Sequence, residues 1–451
     1  MLDIRIFTIL SVAISFNNQL VLSDEQVNYC YSTDEHPYLN AGTKTPYEFT
    51  HGLIKNNSVP NCDPVQIWML TRHGTRYPGK KEINNIKNIL PGLQSSIIEN
   101  AEKRGNVSLC EEDLELLKTW IVDPYLSAET NKYLSKQGER DLQSLGERIK
   151  GSFPELLEND SDDLPVDKFK FRATDTQRTV ASMEYFIKGA MGDVSMNNTV
   201  VVPLEEDILL KLYKICKPWL KEMKSPETNA EVNAFLAGPE LKQVVHDVSK
   251  RLGFEDDLPF ESVLSMYTEC VFERAWVVDK LSPWCAAFTE DELKVFEYEE
   301  DLYYYHHASY GVEMSPRIGC ITLQDMFNHF EKLENGNTSE EPRGIFYFSH
   351  NVAVELLLRT MGLAEDSSPL TASNFQSKRD NRKWRTATLT PFAANLAAVF
   401  YKCDSSNKVR FYLNEKPLDI EGCEMGVCDW EYLKKKLGST AFNCNVDFCF
   451  E

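Results

Sequence analysis

Three short apolar runs, each leading into arginine or histidine, constrain the fold of this chain more than any other feature. "VQIWML" leads into "TRHGTRYP", "DKFKF" into "RATDTQRT", and "GIFYF" into "SHNVAVELLLRTMG". Each run is rich in residues that favour strands. After the second and third, "TVASMEYFIKGAM" and "AVELLLRTM" repeat apolar residues three or four apart, which is helical spacing. Strand then helix, repeated, predicts an α/β fold with a mainly parallel sheet flanked by helices. Ligands of such sheets bind beyond the carboxyl ends of the strands. Arg72, His73 and Arg76, then Arg172, then His350 are therefore expected to converge at one edge of the sheet.

Between the second and third runs, residues of about 204–318 read as an inserted, mostly helical lobe. "EEDILLKLYKICKPWLKEM", "KQVVHDVSKRL" and "EDELKVFEYEEDLYYYHH" have amphipathic spacing and no strand alternation. The stretch 111–153 is also helix-like, and "LSKQGERDLQSLGERIKGSF" within it reads as an exposed amphipathic helix. Near the end, "AANLAAVFYKC" and "KVRFYLNEKPL" flank "DSSN" and predict an antiparallel hairpin.

The first 23 residues combine Arg5, a short apolar core, and small residues at Val21 and Ser23, the pattern of a signal peptide. The expected mature protein is one domain over 24–451, secreted, with no membrane attachment after cleavage. All twelve cysteines follow the proposed cut, and an even count in an oxidising compartment favours disulfides. The cluster Cys423, Cys428, Cys444 and Cys449 lacks the two-residue spacing common in zinc sites, so no metal is expected. Sequons at Asn56, Asn106, Asn159, Asn197 and Asn337 fit a glycosylated exported protein.

A formal charge of −21 repels nucleic acid and anionic membranes alike. It leaves room for a small anionic substrate, because arginines in a cleft focus a positive potential inside an acidic envelope. A neutral imidazole is a nucleophile and guanidinium groups bind phosphate through planar forks of donors. His73 between Arg72 and Arg76 thus suggests phosphoryl transfer to histidine, with Gly74 leaving room for close approach of a ligand. No cofactor is expected. Lys80 and Lys81 follow closely enough to meet further phosphates of a substrate, or else simply start an exposed helix. The run Lys378, Arg379, Arg382, Lys383 and Arg385 reads as a charged surface loop, and His306 and His307 as packing or surface residues of the lobe.

The full string "RHGTRYP" resembles the signature of the histidine acid phosphatases. Among their branches the chain is most similar to the multiple inositol polyphosphate phosphatases, a phytase-like group. "LNAGTKTPYEF", "SPWCAAF" and "LTASNFQSKRDNRKWRTATLTPFAANL" extend the resemblance over nearly the whole mature chain. The phosphoglycerate mutases, relatives with the same kind of fold, have glutamate after "RHG", where this chain has Thr75. The resemblance implies that His73 is the nucleophile and that Arg72, Arg76, Arg172 and His350 hold the phosphate. It also implies disulfides between Cys62 and Cys403 and between Cys270 and Cys285.

One position departs from the pattern. After the second histidine the family carries a carboxylate, immediately or one residue later, as proton donor to the leaving alcohol. Here Asn351 and Val352 follow His350. Loss of an aligned general acid costs roughly 10² to 10⁴ in rate, so reduced activity is expected, least for esters whose leaving group needs no proton. On a helix starting near Asn351, Glu355 would point about 140° away from His350. Glu355, Asp175, a water or a substrate phosphate are the conceivable replacements. Against the phosphatase reading stand a weakly active or inactive binder of phosphorylated ligands, and a protein with no phosphate site whose three strand ends lie scattered.

Overall fold

The computed structural model describes residues 30–34, 39–55, 57–158, 165, 168–336 and 339–451. The expected signal peptide and the sequons at Asn56, Asn159 and Asn337 lie outside them; Asn106 and Asn197 are exposed. Eight strands form one sheet: β1 (Cys62–Arg72), β2 (Phe169–Thr174), β3 (Val200–Val202), β4 (Gly344–Ser349), β5 (Asn395–Cys403), β6 (Lys408–Leu413), β7 (Lys416–Pro417) and β8 (Val427–Asp429). Their order is β3-β2-β4-β1-β5-β6-β7, with β8 beside β6. The three expected runs are β1, β2 and β4, and with β3 they make the parallel core. β5 and β6 form the expected antiparallel hairpin, laid antiparallel on β1.

Alternation along β1 explains why its apolar run is nearly continuous. Ile67 and Met69 face one core, with Phe171, Phe346 and Val399. Trp68 and Leu70 face the other, with Ile345, Tyr347 and Phe400. A strand buried on both faces needs apolar residues at both parities. Helices Lys136–Ser152 and Gln177–Met191 cover the first face. The first of these is not the exposed helix that its polar residues suggest: Leu142, Leu145 and Ile149 are wholly buried, and its densest packing is against the second. Helices Ser315–Glu334, Asn351–Thr360 and Trp430–Phe442 contribute to the opposite core, which is continuous with that of the helical lobe.

From Leu204 the chain between β3 and β4 is helical, and helical structure continues past 318 to Glu334. The last of these helices, Ser315–Glu334, packs on Asn351–Thr360 and Trp430–Phe442 rather than closing the lobe on itself. All twelve cysteines are paired, as Cys30–Cys110, Cys62–Cys403, Cys216–Cys449, Cys270–Cys285, Cys320–Cys444 and Cys423–Cys428. Both pairs implied by the resemblance are among them. Cys62 and Cys403 are register partners across β1 and β5, which brings their Cα atoms to 4.1 Å. Among the described residues no helix is long and apolar enough to cross a membrane.

Candidate active site

The register of the parallel strands sets the site. Arg72 is paired with Ser349 across β1 and β4, so the two chains leave the sheet side by side. His73 N donates to Ser349 O at 3.0 Å, and the ring centroids of His73 and His350 lie 5.5 Å apart. Both imidazoles open into one cavity of about 590 Å³ between the strand ends and the lobe. Its wall carries Arg72, Arg76 and Arg178 together with Lys44, Lys132, Lys211 and Lys214 and, among the described residues, no carboxylate. That accumulation of positive charge in an acidic protein is the field expected of an anion site.

The nucleophile loop is held by backbone contacts that only glycine permits. A Cβ on Gly74 would meet the Gly138 carbonyl at 2.6 Å and Leu142 at 2.5 Å. Gly74 therefore serves the approach of helix Lys136–Ser152, and the room it leaves is filled by that helix. Thr75 adds a second anchor, its N–H and hydroxyl both donating to Asp141, at 3.1 and 2.7 Å.

Hydrogen bonds fix the tautomer of each histidine. Nδ1 of His73 donates to the Gly74 carbonyl at 2.9 Å, which leaves Nε2 with its lone pair. Burial, reinforced by Arg178 and Arg72, holds His73 well below the ordinary imidazole range, so the lone pair survives in acid. Nδ1 of His350 accepts from Arg178 at 3.2 Å, so Nε2 carries the proton and meets the Thr174 hydroxyl at 3.3 Å. Burial and then Arg178 depress His350 as well. Arg72 is fastened from behind, Nη1 donating to the carbonyls of Thr43 and Thr390 at 2.5 and 2.6 Å. The ring of Phe392 lies 4.6 Å from its guanidinium carbon. Burial lowers Arg72 and Arg178 to about 10 each, which still leaves both cationic at neutral pH.

Of the expected residues, Arg72, His73, Arg76 and His350 meet at this cavity. Arg172 does not. It lies inside β2, and its guanidinium is paired with Asp207 at 2.6 Å, off the cavity wall. The second arginine of the same string, Arg178, occupies the site from the first turn of helix Gln177–Met191. Lys80 and Lys81 are also outside: they open helix Lys80–Glu99, both exposed, and Lys81 sits 3.5 Å from Glu261. The lysines on the wall come from other segments altogether. His307 lines the cavity, stacked on Tyr303 with ring centroids 4.0 Å apart, whereas His306 contacts the Leu370 carbonyl. In the basic run, Arg382 is buried between Glu297 and Asp301, a structural pairing rather than a surface charge.

Asn351 and Val352 face the cavity where a proton donor is expected. Glu355 is wholly buried and off the wall, its Oε1 accepting from Asn351 at 3.2 Å and Thr390 at 3.0 Å. Asp175 is exposed and also off the wall. Among the described residues, the group of possible metal ligands within reach of one another is Cys30, Cys110 and Glu112, whose two sulfurs are joined in a disulfide.

A family model for the histidine phosphatase superfamily (branch 2) matches residues 65–414. The chain is 31% identical over 436 residues to multiple inositol polyphosphate phosphatase 1 of Drosophila melanogaster, spanning 94% of this chain and 91% of the fly protein. In three dimensions it is similar to the phytase from D. castellii, with a TM-score of 0.75 at 18% identity over 93% of this chain and 91% of the other. The Bifidobacterium longum multiple inositol polyphosphate phosphatase in complex with inositol hexasulfate superposes with a TM-score of 0.65 at 14% identity, over 89% and 98%.

Proposed function

The chain belongs to branch 2 of the histidine phosphatase superfamily, and from that premise we propose that it is a secreted phosphomonoesterase acting on inositol polyphosphates or similar phosphate esters. The observation that carries this reading is the cavity wall: three arginines and four lysines, no carboxylate among the described residues, and a histidine with its lone pair free at the centre. His73 attacks phosphorus in line and becomes the phosphohistidine. Arg72, Arg76 and Arg178 hold the transferring group, with His350 beside it, and compensate its charge as the bond order changes. Beyond that clamp, the lysines suit a ligand with several phosphates rather than one. The names of similar proteins, an inositol polyphosphate phosphatase of the fly and a bacterial enzyme complexed with inositol hexasulfate, support the same class of polyanion. Six disulfides and the signal-peptide pattern of residues 1–23 support an oxidising, secretory-pathway location.

Asn351 and Val352 favour a second reading, in which the same pocket binds phosphorylated ligands with little or no turnover. Phosphate release from inositol hexakisphosphate and from p-nitrophenyl phosphate, with His73→Ala as control, separates the two. Turnover that depends on His73 is expected. Release from neither ester, with binding intact, would replace the enzyme reading by the binding one.

A further inference from the structure

The wall of the cavity holds four lysines, and they are not equivalent. Lys44 is paired with Glu300, and Lys132 and Lys214 are exposed. Lys211 is only 5% exposed, and its ammonium has no carboxylate within ion-pair distance among the described residues. A lysine so withdrawn from bulk solvent without a close counter-ion is costly to keep, and its place on the cavity wall that holds both histidines suggests why it is kept.

The geometry that puts it there is specific. The Ser349 hydroxyl donates to the Leu210 carbonyl at 3.0 Å, and Ser349 and Leu210 directly precede His350 and Lys211. The end of β4 and helix Ile208–Ile215 are thereby clamped with Lys211 next to His350, the helix being kinked at Lys211 itself. Asp207 at the start of that helix pairs with Arg172, at 2.6 Å, and accepts from the Leu210 N–H at 3.1 Å, and it is not within ion-pair distance of Lys211. Lys211 lines the same cavity as Asn351 and Val352, the positions where the resemblance implies a proton donor.

Resting on the phosphatase reading above, we propose that Lys211 donates the proton to the leaving alcohol, doing what a carboxylic acid at Asn351 or Val352 would do. As His73 Nε2 bonds to phosphorus, the ester P–O bond breaks and its electron pair stays on the leaving oxygen. That oxygen takes a proton from Lys211 Nζ, leaving an alcohol and a neutral amine. In the second half, the amine takes a proton from the water that displaces His73 from phosphorus, which restores the ammonium and releases phosphate. Burial and then Arg178 lower the pKa of Lys211 from its ordinary value, with Lys214 in the same direction and Asp207 and Asp175 opposing. A lysine so placed releases its proton more readily than a solvated one. The two carboxylates considered as replacements are worse placed, since Glu355 is buried behind Asn351 and Asp175 is off the wall.

The test compares Lys211→Met and Lys211→Arg with the wild type on inositol hexakisphosphate and p-nitrophenyl phosphate. Arginine keeps the charge but holds its proton at any working pH. Both variants should lose about 10² or more in kcat/KM on the alkyl phosphate and far less on the nitrophenyl ester, and Lys211→Arg should lack the alkaline limb of the wild-type kcat/KM profile on the alkyl phosphate. Equal losses on the two esters, or rescue of both by arginine, would make Lys211 a phosphate ligand only and overturn the assignment. A wild type silent on both esters would overturn the phosphatase reading, and this assignment with it. Melting of each variant with inorganic phosphate checks that the pocket is folded.

Discussion

The Arg178 guanidinium donates to Nδ1 of His350 at 3.2 Å. This bond joins the ends of two strands, because Arg178 follows β2 and His350 follows β4. It orients an imidazole and places a cation beside the phosphoryl position with one side chain. Arg178→Ala should therefore lower kcat/KM on p-nitrophenyl phosphate by about 10² to 10³, the usual loss when one preorganised donor to transition-state charge is removed. Lysine should restore little, since it lacks the planar fork. Unchanged kinetics in the alanine variant would remove Arg178 from the clamp.

Arg172, six residues earlier, is expected to fail in a different way. Its partner Asp207 is wholly buried and caps helix Ile208–Ile215. Arg172→Ala leaves that carboxylate without its cation, a loss of about 3 kcal/mol or more. Denaturant unfolding should show the drop directly, while inorganic phosphate should still raise the melting temperature of whatever remains folded. A variant of normal stability that no longer responds to phosphate would return Arg172 to the ligand.

The contrast between these arginines shows what the sequence makes legible. His73 and His350 can be found because each comes one residue after a strand that the sheet requires to be apolar. Of the two arginines in "RATDTQRT", the sequence reading takes Arg172, which directly follows the apolar run "DKFKF", because the strand end at Thr174 is not marked in the sequence. Arg172 then belongs to the sheet and Arg178, in the first turn of the helix that follows, to the space beyond it. Lys44, Lys132 and Lys211 come from separate segments, and only tertiary packing brings them to one wall. A lysine in an amphipathic helix carries no mark in sequence that separates a buried one from a solvated one. The parallel core, the hairpin and the helical lobe follow from periodicity, whereas the order of the strands does not.

The pH dependence of the reaction follows from His73. Burial and the neighbouring Arg178 and Arg72 hold it well below 6.5. The neutral, nucleophilic form therefore persists as pH falls through 6.5, where an ordinary histidine would become protonated. The acid limb of kcat/KM on p-nitrophenyl phosphate, which reports the free enzyme, should lie clearly below pH 6.5. A limb centred at or above 6.5 would mean that the imidazole is solvated or paired with an acid, contrary to its burial beside Arg178 and Arg72.

Glu355 gives a stability prediction of opposite character. Burial pushes its carboxyl up to about 8 from an ordinary 4.5, against the hydrogen bonds from Thr390 and Asn351 that favour the ionised form. Between those two values the native state keeps a proton that the unfolded chain releases, so the unfolded chain binds fewer protons and stability falls as pH rises. Below 4.5 both states are protonated and the effect vanishes; above 8 the native group ionises and it stops growing. Glu355→Gln preserves an acceptor for Asn351 and Thr390 but cannot ionise. Relative to wild type, the glutamine variant should gain up to about 1.4 kcal/mol per pH unit across that window. Urea midpoints at pH 4.5, 6 and 7.5 measure the difference. A gap that stays constant with pH would mean that Glu355 is ionised in the folded protein, with a counter-charge closer than Arg72.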